Sequence, residues 1–131
     1  MEQDERRELL ELIGSFIEMG LVENIAAMFR QDARLYALTG DLLRDERYVV
    51  RVGMAVLFEE LAATRPDEIQ LAVPVLRPLL RDSVAHVRGE AATLLGIIAS
   101  PEALAAVAPL LHDTDPQVAE IAADILAEQQ R

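Results

Sequence analysis

Apolar residues recur at helical spacing along most of the chain. One stripe of a 3.6-residue period consists of Val87, Ala91, Leu94, Leu95 and Ile98. A stripe of this width predicts a helix with one buried face. The amino-terminal part is less regular, but its spacing predicts helices over about 4–19, 22–30 and 32–44. The pattern therefore predicts an all-α fold.

Three stretches of the chain align with one another without a gap. They are LLRDERYVVRVGMAVLFEELA (42–62), LLRDSVAHVRGEAATLLGIIA (79–99) and LLHDTDPQVAEIAADILAEQQ (110–130). An aspartate stands at the same place in each, and successive aspartates are 37 and 31 residues apart, which leaves room for a second helix. The predicted units of one continuous domain are an amino-terminal helical cap over 1–31 and three repeats over about 32–64, 65–99 and 100–131.

Local signals mark where the helices of these repeats begin and bend. Asp115 directly before Pro116 predicts an N-cap followed by proline at the first helical position, and Ser100 before the next proline repeats the arrangement. Pro78 and Pro109 each lie four residues before a repeated aspartate. Because proline removes a backbone donor, we expect the first helix of each later repeat to bend there.

Composition narrows the possible functions. Apolar residues make up 52% of the chain and aromatic residues only 4%, which suits closely packed helices. The chain has no cysteine, which excludes disulfides, thiolate metal ligands and cysteine nucleophiles. Its formal charge of -11 opposes binding to a phosphate backbone, and it lacks an apolar run long enough to span a bilayer. We expect a soluble, cytoplasmic protein that binds neither nucleic acid nor membrane.

The repeated stretches resemble HEAT repeats, and within them the short HEAT-like class first noticed in phycobilisome lyases. The shared pattern is paired leucines, Asp, a capping position, Val-Arg, two small residues and Leu-Gly-x-Ile, over about residues 32–130. Ala127 stands at the place of Gly96 in the third repeat, where Ala119 also replaces the arginine. The resemblance implies an α-solenoid of antiparallel helix pairs, an armadillo-type superhelix, whose second helices line a concave face that binds other proteins.

The repeated aspartates and arginines admit two interpretations. As a catalytic site, Asp82 with Arg88 lacks a nucleophile or a base, and the pair recurs as Asp45 with Arg51. As a scaffold, an aspartate in the turn accepts backbone N–H groups and meets an arginine from the preceding repeat. We therefore predict a structural ladder. Its expected pairs are Arg51 with Asp82 and Arg88 with Asp113.

The outward positions of the second helices are the candidate binding surface. We call them the second-helix face; they are Tyr48, Val52, Val56, Glu60, Thr93, Ile97, Glu120, Asp124 and Glu128. Along the stack this face passes from mildly apolar to acidic. It would complement a neutral to basic protein or peptide, since apolar contact supplies affinity and charge supplies orientation. The alternative is a solvated surface that only keeps the protein soluble.

Three functions remain open at this stage. They are a non-catalytic interaction module, an accessory or chaperone-like subunit of a lyase or other modifying enzyme of the phycobilin lyase kind, and a homo-oligomeric assembly unit. His86 and His112 have no third ligand at matching spacing, so we predict no metal, no other cofactor and no catalytic residue. The polar ending AEQQR disfavours open-ended stacking, which leaves a monomer or a homodimer.

One further group of charges has two interpretations. Arg77, Arg81 and Arg88 could form a small basic island on the middle repeat. Alternatively, Arg81 is a surface residue at a helix end, where a positive charge complements the helix dipole. Arg44 and His112 occupy the equivalent position in the other repeats, which favours the second interpretation.

Overall fold

The computed structural model describes residues 1–130. Within that range the chain forms eight α-helices and four 3-10 helices, with no strand. The α-helices are α1 (Gln3–Glu18), α2 (Val22–Gln31), α3 (Thr39–Leu43), α4 (Tyr48–Thr64), α5 (Val73–Leu76), α6 (Ala85–Ile98), α7 (Pro101–Val107) and α8 (Pro116–Glu128). The 3-10 helices are Ala33–Leu38, Glu68–Ala72, Arg77–Arg81 and Ala108–His112. The all-α solenoid expected from the sequence is confirmed.

The helices lie in two layers. Helices α1, α4, α6 and α8 pack side by side in that order and form the second-helix layer. The short α and 3-10 segments between them are the first helices of the repeats and form the first-helix layer. Helix α2 packs against both α1 and α4. Helix α1 thus takes the place that the second helix of a preceding repeat would occupy.

The core runs continuously between the two layers. The predicted apolar stripe of α6 is buried, with its most exposed member, Ile98, at 8%. Aromatic residues are concentrated at the amino-terminal end, where the ring of Tyr36 makes edge-to-face contacts with Phe29 at 5.1 Å and with Phe58 at 6.3 Å between centroids. Such contacts add to the stabilisation that burial of these rings already gives.

Prolines mark a change of helix type within the first helices, at the positions where the sequence predicts a bend. At Pro78 and Pro109 the chain tightens from α-helix to 3-10 helix, because proline cannot donate to the carbonyl four residues earlier and its ring crowds that carbonyl. The predicted N-caps are confirmed. The Ser100 hydroxyl accepts from the N–H of Ala103 at 3.2 Å, and the Asp115 carboxylate accepts from the N–H of Gln117 at 2.8 Å.

Glycines allow the second helices to approach one another closely. A Cβ atom at Gly96 of α6 would lie 3.0 Å from Cγ1 of Ile125 in α8. A Cβ atom at Gly53 of α4 would overlap Cγ2 of Ile17 in α1. The branched side chain of each neighbouring helix therefore fills the space that the missing Cβ leaves.

Candidate interaction surface

The repeated aspartates build the same turn in all three repeats. Each accepts a hydrogen bond from the backbone N–H two residues further on. These bonds measure 2.9 Å at Asp45, Asp82 and Asp113. The second helices therefore begin from equivalent turns, which keeps their outward faces in register along the stack.

Arg88 joins the second and third repeats. Its Nε and Nη2 donate to the two carboxylate oxygens of Asp113, both at 2.9 Å, and its Nη1 donates to the backbone carbonyl of Asp82 at 2.9 Å. The side chains of Arg88 and Asp113 are only 14% and 7% exposed. The expected pair is thus present with bidentate geometry, which is the strongest arrangement for a guanidinium and a carboxylate.

Arg51 does not make the expected pair with Asp82. It donates to the carbonyl of Asp45 at 2.7 Å, as Arg88 does in its own repeat, but its Nε reaches Glu90 at 3.2 Å. The Asp82 carboxylate accepts instead from Nη2 of Arg44 at 2.6 Å. The prediction was wrong because Glu90, one turn into α6, lies within reach of Arg51.

These hydrogen bonds act on the ionisation of the aspartates. The guanidinium of Arg88, followed by the backbone N–H two residues on, lowers the pKa of Asp113. At Asp82 the larger cause of the lowered pKa is the N–H of Val84, and Arg44 comes second. The turn therefore holds both carboxylates in the ionised form that the arginines bind.

The apolar part of the second-helix face lies on α4. Tyr48, Val52 and Val56 are 69%, 44% and 51% exposed and follow one another at intervals of four residues. Residues at this spacing share one side of a helix. Helix α4 therefore presents a continuous apolar stripe to solvent although it lies in the middle of the molecule.

A depression separates this stripe from α6. It has a volume of about 200 Å³ and is lined by residues that include Tyr48, Val52 and Thr93. Arg51 lies 5.5 Å from the centre of the Tyr48 ring, within the range of a cation–π contact. The two helices thus place the Tyr48 ring, a guanidinium and the Glu90 carboxylate around one opening.

The stripe also continues towards the amino-terminal cap, which the sequence pattern does not predict. A groove of about 410 Å³ lies between α4 and the turn that joins α1 to α2. Leu21 and Val56 provide its apolar side, and Glu23, Glu59 and Glu60 its acidic side. A turn residue such as Leu21 has no periodicity to mark it, so only the packing of the cap shows that it belongs here.

The members of the face on α6 and α8 differ from those on α4. Thr93 and Ile97 are half-buried, and Ile97 packs partly against the core. On α8 the three acidic residues Glu120, Asp124 and Glu128 are exposed. They lie on the far side of α6 from the apolar stripe of α4, whereas the acidic side of the groove beside Leu21 lies at the Val56 end of that stripe.

Two further features concern metal binding and membrane insertion. No group of three or more acidic, histidine or cysteine side chains in that range could hold a metal ion. His86 lies 3.7 Å from Glu90 through its Nδ1, and this carboxylate also accepts from Arg51. No helix in the described part of the chain is long and apolar enough to cross a membrane.

The fold and the repeated turns define the class of the protein as an α-solenoid of helix pairs. The family model for HEAT repeats matches residues 36–127. Since this is well over half of the chain, the protein belongs to the HEAT-repeat family. No curated protein and no solved structure matches the chain significantly. HEAT repeats commonly serve as scaffolds for protein interaction.

Proposed function

We propose that this protein is a non-catalytic scaffold that binds a neutral to basic, amphipathic segment of another protein on the second-helix face. The observation that carries the proposal is the exposed stripe of Tyr48, Val52 and Val56. Scattered exposed apolar residues are normal on protein surfaces, whereas a contiguous patch beside a groove is typical of a binding site.

The exposed apolar side chains of α4 are large enough to contribute substantially to the affinity for a partner. Full burial of one valine side chain contributes roughly 1.5–3 kcal/mol, and tyrosine is among the residues that most often dominate an interface. The grooves on either side of the stripe offer room for side chains of a partner. A helix laid along α4 could therefore bury Tyr48, Val52 and Val56 together.

The charges around the stripe support a partner with basic residues. Glu23 and Glu59 lie at the groove beside the Val56 end of the stripe, and Glu120 and Asp124 lie on α8, on the far side of α6. Complementary charge at the rim of an interface mainly steers association and fixes orientation. We therefore expect a partner segment with apolar residues opposite α4 and basic residues at the end that meets Glu59.

The proposal also includes the limits of the repeats, the location of the protein, its oligomeric state and its class of repeat. We infer that the three repeats have the limits 32–64, 65–99 and 100–131, that residues 1–31 act as the cap, and that the protein works in the cytoplasm as a monomer or a homodimer. Assignment to the short HEAT-like class rests on the repeated Leu-Leu-x-Asp and Val-Arg pattern.

The proposal is tested by quantitative partner capture with matched variants. Val56→Asp and Leu71→Asp place the same charge at two positions that are both 51% exposed, but only Val56 lies on the second-helix face. We expect at least one protein from an extract of the native cell to bind the wild type and Leu71→Asp, and to lose about tenfold or more of its affinity for Val56→Asp. Circular dichroism checks that both variants are folded.

Two outcomes would contradict the proposal. Equal losses in the two variants would mean that the second-helix face is not the binding surface. If Glu120, Asp124 and Glu128 are changed together to lysine and binding is unaffected, the acidic end takes no part. A new absorbance band on mixing with a bilin would instead favour the accessory role in a lyase.

A further inference from the structure

A second groove lies on the opposite layer from the second-helix face. It runs between the first helices of the second and third repeats and has a volume of about 690 Å³. The residues that define it are Pro74, Pro78, Pro109, Leu110, Arg77 and Arg81, and we call it the proline groove. Its volume is within the range of about 300–1,000 Å³ that is typical of ligand clefts.

The walls of the proline groove are rigid and apolar. Pro74, Pro78 and Pro109 have fixed φ angles, and they carry no backbone N–H. Because the groove exists without any rearrangement, a bound segment would not have to order it first. Its charged lining consists of Arg77 and Arg81, so this groove is basic although the whole chain carries a charge of -11.

Arg81 stands out among the arginines of the described chain. Nine of the eleven arginines in residues 1–130 lie within ion-pair distance of a carboxylate, and the two that do not are Arg65 and Arg81. Arg65 donates to the carbonyl of Thr64, whereas the side chain of Arg81 has no hydrogen-bond or ion-pair partner within the described residues.

The ladder explains why Arg81 has no carboxylate partner. Arg44, at the equivalent position of the first repeat, reaches forward to Asp82 of the next repeat. The corresponding target of Arg81 is Asp113, but both oxygens of that carboxylate are already bound by Arg88. Arg81 is therefore left at the edge of the groove with its guanidinium available to a ligand.

The second arginine of the groove is held only weakly. Arg77 forms an ion pair with Glu102 at 3.3 Å, and the two side chains are 54% and 59% exposed. Pairs this exposed contribute little to stability, so a carboxylate of a ligand could replace Glu102. A bound acidic segment would then provide a carboxylate for Arg81, which has none, and for Arg77, whose pair with Glu102 is exposed.

We propose that the proline groove binds a short acidic segment of a partner protein that carries apolar residues between its carboxylates. Charge complementarity selects the acidic partner, and the proline and leucine side chains select the apolar residues. At physiological ionic strength charges are screened beyond about 8 Å, so Arg77 and Arg81 act on a short segment more than the distant acidic residues do. This interaction is separate from the one proposed for the second-helix face and favours the opposite charge.

The test uses fluorescein-labelled ten-residue peptides that alternate acidic residues with leucine or proline. Each peptide has a twin in which every carboxylate is replaced by the corresponding amide. We expect fluorescence anisotropy to show at least one acidic peptide that binds the wild type about tenfold more tightly than its twin. Arg81→Glu should weaken that binding about tenfold or more, and Glu102→Gln should strengthen it about two- to threefold by releasing Arg77.

Arg7→Glu is the matched control. It changes the net charge by the same amount as Arg81→Glu, and its side chain on α1 is 73% exposed and outside the groove. Binding should be unaffected in this variant. The proposal is overturned if no acidic peptide binds better than its twin, or if Arg7→Glu weakens binding as much as Arg81→Glu. It is also overturned if sedimentation shows a wild-type dimer that Arg81→Glu dissociates, because the groove would then hold a second copy of the chain.

Discussion

Helices α6 and α8 have equivalent places in their repeats but differ in burial. Leu95 of α6 is fully buried, whereas Leu126, which aligns with it in α8, is half-buried. One turn later Ile98 aligns with Gln129, which is exposed. Helix α6 is covered by α4 on one side and α8 on the other, and α8 packs against α6 alone within its layer. A repeat of this kind buries its apolar stripe fully only between two neighbours.

The difference predicts unequal costs for the same substitution. Leu95→Ala should lower the free energy of unfolding by about 2–5 kcal/mol, because it leaves a cavity in a filled core. Leu126→Ala should cost about half as much or less, because the Leu126 side chain is still partly in contact with water in the folded protein. Urea unfolding followed by circular dichroism measures both values. Equal losses would mean that the third repeat is as well packed as the second.

The sequence was sufficient for features that depend on neighbours along the chain. The N-cap at Asp115 and the changes of helix type at Pro78 and Pro109 follow from backbone chemistry within one turn. The forward pair of Arg88 is not local, but it also follows the repeat pattern, since the next repeat has Ile121 where Glu90 would stand and so offers no competing carboxylate there. For the caps and the changes of helix type, the local sequence is therefore sufficient.

Other features depend on distances that the alignment does not contain. Arg51 aligns with Arg88, yet it binds Glu90, because a long side chain binds whichever carboxylate lies within reach. The position that aligns with Glu90 in the third repeat is Ile121, so the repeat pattern does not predict Glu90 as the partner of Arg51. Leu21 joins the interaction surface for the same reason, since the fold of the cap brings it to Val56.

The junctions between repeats should also differ in their response to acid. The pKa of Asp113 is lowered in the folded protein, so its contribution to stability is present above its unfolded pKa of about 3.9 and is lost as the pH falls through the folded value. Asp113→Asn keeps an oxygen for the turn but removes the charge. This variant should be less stable than the wild type at pH 7, and the difference should shrink below about pH 4.

Thermal unfolding between pH 7 and pH 2.5 measures this effect. Asp82→Asn is the comparison, because its partner Arg44 is 49% exposed whereas Arg88, the partner of Asp113, is 14% exposed. Solvent weakens the more exposed pair, so its pH-dependent loss should be smaller. A constant difference in Tm between wild type and Asp113→Asn over this range would show that the pair does not control the acid response.

The smallest expected effect distinguishes the carboxyl ends of the same two helices. Helix α6 ends at Ala99 in the left-handed region, with φ of 58°, where the chain turns into the third repeat. Helix α8 ends at Gln129 with φ of -74°, in the right-handed region.

A left-handed conformation costs a residue with a Cβ about 1–2 kcal/mol, and glycine avoids this cost but loses more entropy on folding. Ala99→Gly should therefore stabilise the protein by about 0.5–1 kcal/mol and raise Tm by about 2–5 °C. Gln129→Gly, which relieves no strain, should give no increase, and an equal increase in both variants would contradict the assignment of strain to Ala99.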